Sequence, residues 1–189
     1  GESLFFVNLY NWGEPLLNNN IFYFIKQLKQ YNICVELNTN LSFRKDMNFF
    51  SRLIDAGVDR IEASIDGFSQ ETYGKYRVAG DFRLAKSNLL TLAKIRDKNN
   101  VDVDIVWNYL VFKFNEHEIL HAKQFCADHG IEFVVRDAAL SENLRSDFLP
   151  SYRSGECLDG FFEQRAQPFT PTLVTGRPAL SCAWHYFYS

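Results

Sequence analysis

"ICVELNTNLSFRKDMNFFSRLIDAGVDRIEASIDG", residues 33–67, sets two short β-rich runs on either side of a helical pattern. The runs, 33–38 and 60–65, are aliphatic and short, as strands are. Between them, 46–56 places Phe49, Phe50, Leu53 and Ile54 at helical spacing and stops at Gly57, a residue suited to a helix C-terminus. Two strands joined through a helix pair in parallel, because only a crossover of that length returns the chain to the same end of the sheet. The same unit recurs outward. Strands are predicted at 4–9 (LFFVNL), 103–112 (VDIVWNYLVF) and 131–136 (IEFVVR). Helices are predicted at 20–31 on Ile21, Phe24, Ile25 and Leu28, at 81–97, and at 115–129, where Gly130 ends the run. The alternation predicts an α/β fold with parallel strands, open or curled into a partial (β/α) TIM-like barrel. A loop, 67–80, interrupts it, and after about residue 141 the periodicity fades into connecting segments.

With 189 residues and 47% hydrophobic content, the chain has enough apolar surface for one compact core with at most an appendage. Twenty basic against 23 acidic side chains, with no Lys/Arg block, predict no nucleic-acid partner. No apolar run approaches the roughly 18 residues of a membrane helix, and no basic-then-apolar leader is present, so no membrane partner and a cytoplasmic location are expected. Cys34, Cys126, Cys157 and Cys182 are too scattered for a disulfide framework or a local zinc knuckle. The chain opens on Gly1 and has a single methionine, Met47, which predicts a fragment.

Strand parity locates the chemistry. In a parallel barrel one face of each strand meets the helices and the other lines the interior, and both are normally apolar. Here one parity turns polar toward the strand ends: Asn8, Tyr10, Trp12 and Glu14; Glu36, Asn38 and Asn40; Glu62, Ser64 and Asp66; then Asn108 and Arg136. Five strands converge on a polar mouth at the C-terminal face, where α/β folds bind ligands. Trp12-Gly13-Glu14-Pro15 is its most restricted element, a carboxylate between two residues that constrain the backbone.

"NWGEPLL" (11–17), "NTN" (38–40), "SIDG" (64–67), "YGKYRVAGDF" (73–82) and "VWNYLVFKFNEHEI" (106–119) resemble, in order, the radical S-adenosylmethionine (radical SAM) enzymes. "CAWHY" from Cys182 resembles the start of the SPASM domain, which carries auxiliary iron-sulfur clusters in one subgroup. The resemblance implies a partial barrel over 1–140, incomplete at its N-terminus, a connecting region over 141–181, and the opening of a SPASM domain at 182–189. It implies a [4Fe-4S] cluster that reduces SAM to a 5′-deoxyadenosyl radical, which abstracts hydrogen from a peptide or small-molecule substrate. An electron donor such as flavodoxin or ferredoxin is implied as partner. Glu14, flanked by Gly13 and Pro15, matches the acid of the "GGEP"-type motif that holds SAM's ammonium group. A tryptophan before Gly13 is common in close relatives. Gly13 is expected to let ligand and backbone approach closely, and Pro15 to preset the turn. Ser64 matches the serine that meets the ribose, and Arg77 the arginine that pairs with SAM's carboxylate. Asn38, Asn40 and Asp66 are implied near the cofactor, Val111 against the adenine, and Cys182 as an auxiliary-cluster ligand.

The departures bear on the same reading. The C-x-x-x-C-x-x-C loop that supplies the catalytic cluster's thiolates in this family is absent, so those ligands are expected outside this chain. A non-catalytic barrel that binds a nucleotide or partner protein stays open as the alternative. "HEILH" (117–121) satisfies the zinc-hydrolase pattern H-E-x-x-H, with Glu142 as a possible third ligand. At 100° per residue, however, Ile119, Ala122 and Cys126 form that helix's inward stripe, and His117 and His121 face water. Asn115 followed by Glu118 predicts a helix cap with an acidic first turn.

Overall fold

Five strands pair in parallel and in sequence order: β1 (Phe6–Asn8), β2 (Cys34–Thr39), β3 (Arg60–Ser64), β4 (Asp104–Val111) and β5 (Glu132–Asp137). They are seen in a computed structural model that describes residues 4–10 and 13–137 of the 189. When every crossover keeps one hand, sequential order puts all the connecting helices on one side of the sheet, which is barrel winding rather than doubly wound topology. The fold is α/β, a partial TIM-like barrel.

The connecting helices are α1 (Ile21–Gln30), α2 (Met47–Asp55), α3 (Gln70–Tyr76), α4 (Phe82–Asn99) and α5 (Ile119–Asp128), with single 3-10 turns at Pro15–Leu17 and Glu116–Glu118. Their starts are chemical. Asp46, Ser69 and Asp81 each accept a hydrogen bond from the backbone N–H three residues on, which satisfies a donor the helix leaves orphaned. Gly57 (φ +95°) and Gly130 (φ +60°) then turn the chain in the left-handed region. The helix-facing side of the sheet carries Val35, Leu37, Ile61, Ala63, Ile105, Trp107 and Tyr109, all buried in one apolar core with Ile25, Phe50, Leu53 and Leu89. Trp107 at its centre satisfies its indole N–H on the Ile65 carbonyl, 2.7 Å away.

Two expectations give way. The predicted loop 67–80 contains α3, because Ser69 caps it and Thr72 and Tyr73 bury its inward face. Asn115 is not a side-chain cap: its amide is buried, receiving Phe112 N–H and donating to the Asp66 and Leu110 carbonyls, so it ties the end of β4 to the end of β3. Of the predicted stripe on α1, Ile21 and Ile25 are buried, whereas Phe24 stays 43% exposed. Among the described residues no helix is long and apolar enough to cross a membrane.

Candidate functional site

The turn after β1 is built to aim Glu14. Gly13 sits at φ +92°, where an L side chain is strained, and Pro15 opens the 3-10 turn whose Leu16 is buried. A Cβ at Gly13 would meet no protein atom within 4 Å, so within the protein the glycine is required by its backbone angle. Glu14 Oε1 accepts from Leu16 N–H (3.1 Å) and from the Thr39 hydroxyl (2.7 Å), and Oε2 accepts from Asn40 N–H (2.8 Å). A carboxylate offers about four lone-pair sites, so one acceptor position on Oε2 remains. The charge is held rigidly across the ends of β1 and β2 with capacity for one more donor.

Asn40 leads into a cavity of about 190 Å³ lined also by Ser42, Tyr73, Arg77 and residues 78–80. Glu14 and Pro15 themselves line a second cavity, of about 420 Å³, between the end of β1 and α1. Arg77, at the C-terminal end of α3, donates from Nε to Asp66 Oδ2 at 2.6 Å; Asp66, 1% exposed, also accepts from Leu110 N–H. Burial raises the Asp66 carboxyl, opposed by the Arg77 guanidinium and the Leu110 N–H. Asp66 thus fixes Arg77, whose guanidinium also lies over the Tyr76 ring, 5.3 Å from its centroid, and whose Nη groups have no hydrogen-bond partner among the described residues.

The interior face below the cavities is a polar ladder. Asn8 donates to Glu36 and Asn38, Asn38 donates to Glu62, and Arg136 reaches Glu62 at 3.2 Å. Arg60, 6% exposed, lies among Glu36, Glu62, Asp104 and Glu132, closest to Glu132 at 2.9 Å. Burial and the neighbouring Glu62 push Glu36 up to about 8, against the pull of Arg60 and Arg136, so it carries its proton at neutral pH.

The expected site residues therefore separate into groups. Asn40 connects two of them, its N–H bonded to Glu14, which lines the larger cavity, while it lines the smaller one with Arg77. Ser64, half-buried on the interior face, precedes Asp66 by two residues and pairs in register with Asn108. Asn38 belongs to the ladder, where its amide is spent on Glu62. Val111 is fully buried in the apolar core, on the opposite parity from Asn108 and Leu110, and faces the helices. Trp12, Glu142, Cys157 and Cys182 lie outside the described residues, as do the regions expected at 141–181 and 182–189. Thr39 and Tyr73 were missed. Thr39 is on the helix-facing parity, and only the folded turn brings its hydroxyl to Glu14. Tyr73 fell in a segment expected to be loop.

The H-E-x-x-H match folds into something else. His117 and His121 are exposed as expected, and His121 stacks on Phe68. Glu118 points inward, accepting from Phe68 N–H and the Thr72 hydroxyl; burial would raise it, but these bonds prevail and lower it. Among the described residues no group of three or more His, Cys, Asp or Glu could hold a metal ion.

No family model matches the chain. It is 28% identical over 137 residues to a GTP 3′,8-cyclase of Aliarcobacter butzleri, covering 71% of this chain and 39% of that protein. It is 28% identical over 138 residues to a probable GTP 3′,8-cyclase of Methanocaldococcus jannaschii, covering 70% and 43%. The chain thus spans about two fifths of the length of these curated relatives. Its fold is similar to Streptococcus suis SuiB (TM-score 0.61, 13% identity, 78% of this chain and 32% of that one). It is likewise similar to TYW1 with a lysine-pyruvate adduct bound (TM-score 0.56, 13% identity, 77% and 45%). At such identities these structural likenesses are of fold, and the fold they share with this chain is the partial parallel barrel described above.

Proposed function

We propose that this chain is the SAM-binding barrel of a radical SAM enzyme. The observation that carries the reading is that Asn40 links Glu14, with one acceptor position left, through its N–H to a cavity it lines with Arg77, whose Nη groups have no hydrogen-bond partner among the described residues. An acceptor for an ammonium and a fork for a carboxylate, held by separate elements, the turn after β1 and the end of α3, suit the zwitterionic end of an amino acid. The ordered motif resemblance and the similarity to GTP 3′,8-cyclases support the same assignment. Ser64 is proposed to meet the ribose and Asn38 to lie toward the substrate. In enzymes of this class, cluster-bound SAM is cleaved reductively and the resulting 5′-deoxyadenosyl radical takes a hydrogen from substrate.

The described residues do not fit a [4Fe-4S] cluster. Cys34 and Cys126 are both buried, on β2 and α5, and burial pushes the Cys126 thiol up to about 12, away from the thiolate a cluster needs. The cluster's ligands are therefore proposed to lie outside the described residues. Cys182 as an auxiliary-cluster ligand, a flavodoxin or ferredoxin donor, and a peptide or small-molecule substrate belong to the same proposal. GTP is one small molecule to test, since the curated relatives are GTP 3′,8-cyclases.

The test is calorimetric titration of the protein with SAM. Glu14→Gln keeps an oxygen for Leu16 N–H and Thr39 but turns an amide NH₂ toward Asn40 N–H. SAM affinity should fall by about tenfold or more, because a charge-assisted bond worth about 1.5–3 kcal/mol is removed. Unchanged affinity would remove Glu14 from the site. SAM binding by the assembled protein without 5′-deoxyadenosine would favour the second reading, a non-catalytic binding barrel, to which the absence of cluster ligands among the described residues gives weight.

A further inference from the structure

Tyr73 is fully buried on α3, and among the described residues its hydroxyl has no partner in good hydrogen-bonding geometry, although the Ser42 side chain lies close enough to favour its ionised form. Burial without a partner costs free energy that a phenylalanine in the same packing would not incur. Tyr73 is also among the residues that line the cavity of Asn40, Ser42 and Arg77, its hydroxyl enclosed at the cavity wall. The backbone fixes it there: a Cβ at Gly80 would fall 2.6 Å from Tyr73 Cε1 and 3.0 Å from its oxygen, so only glycine lets residue 80 close over the ring edge. Phe82 holds the other side, with ring centroids 6.0 Å apart.

We propose that Tyr73 is a ligand-binding residue whose hydroxyl donates a hydrogen bond to the carboxylate that Arg77 holds in this cavity. The proposal rests on the SAM reading above and adds a donor to it. Arg77 supplies charge and a planar fork, and Tyr73 supplies a neutral donor set by packing before the ligand arrives. Burial raises the phenol's pKa, with the nearby Asp66 and Asp81 adding to it, while Ser42 and Arg77 oppose; the proton stays on oxygen at any working pH.

The test compares Tyr73→Phe with the unaltered protein, using SAM and decarboxylated SAM as probes. SAM should bind about tenfold more weakly to the variant. Decarboxylated SAM, lacking the group that Tyr73 would meet, should bind both proteins alike. The ligand-free variant should melt at the same temperature or higher, since it loses only an unpartnered buried hydroxyl. Equal SAM affinity, an equal loss for both probes, or a markedly lower melting temperature would overturn the assignment. If the unaltered protein binds no SAM, the SAM reading itself falls and takes this proposal with it; the other outcomes fault Tyr73 alone.

Discussion

Glu36 shows how far one side chain departs from its ordinary chemistry in this barrel. It is 1% exposed, bonded to Asn8 through one oxygen, and lies 3.8 Å from Arg60 through the other. Water is excluded and Glu62 is close, so the proton stays on until about pH 8. A folded-state pKa raised above the unfolded value means that the native state binds more protons between the two. The stabilisation is complete below the ordinary carboxylate range and is lost as pH rises through about 8. Unfolding free energies from denaturant titrations should therefore decline from about pH 5 to pH 9, by a few kcal/mol in total if the shift is fully expressed. Glu36→Gln mimics the protonated form and should flatten that decline. A profile equally steep in the variant would locate the effect in another group.

α3 is the element on which the proposed site turns, since it carries Tyr73 and ends at Arg77. With only 7 residues it is too short to hold itself, and its N-terminus is latched from outside by Glu118, which accepts from Phe68 N–H at 2.6 Å and from Thr72. Glu118→Gln places NH₂ where a lone pair met those donors, and should cost about 1–3 kcal/mol of stability. SAM affinity should weaken alongside, because Arg77 and Tyr73 move with the helix. The lowered pKa of Glu118 gives this contribution the opposite pH sense from that of Glu36: it is present above the ordinary carboxylate range and lost in acid. An unchanged denaturation midpoint in Glu118→Gln would show that α3 is held by its buried face alone.

Across the whole molecule, the proposed mouth for a ligand's amino-acid end stands apart from the described cysteines, Cys34 and Cys126, which are buried away from it in β2 and α5. The sequence holds four cysteines, none at C-x-x-x-C-x-x-C spacing, and the two that are described are buried on separate elements. The 189-residue chain, reconstituted anaerobically with iron and sulfide and given SAM and dithionite, should form no 5′-deoxyadenosine by chromatography. Product would mean that its own cysteines assemble a competent cluster, and would overturn the assignment of those ligands elsewhere.

The strand–helix alternation, the parallel pairing and the strand-end location of Glu14 and Asn40 were legible in the sequence because they depend on local periodicity and parity, which neighbouring residues encode, whereas Arg77 was marked only by its resemblance to a family motif. Helix starts at Asp46 and Asp81 are local for the same reason, a side chain reaching a backbone N–H three residues away. What only the tertiary structure decided were contacts between residues far apart in the chain. Thr39 reaches Glu14 over 25 positions, Arg77 is claimed by Asp66, and Glu118 accepts from Phe68 over 50 positions rather than standing as a base between two metal-binding histidines. Asn115 bonds across 49 residues to Asp66 instead of capping its own helix. A polar side chain in a short motif has several possible partners, and the one it takes is set by which elements packing brings within about 3 Å.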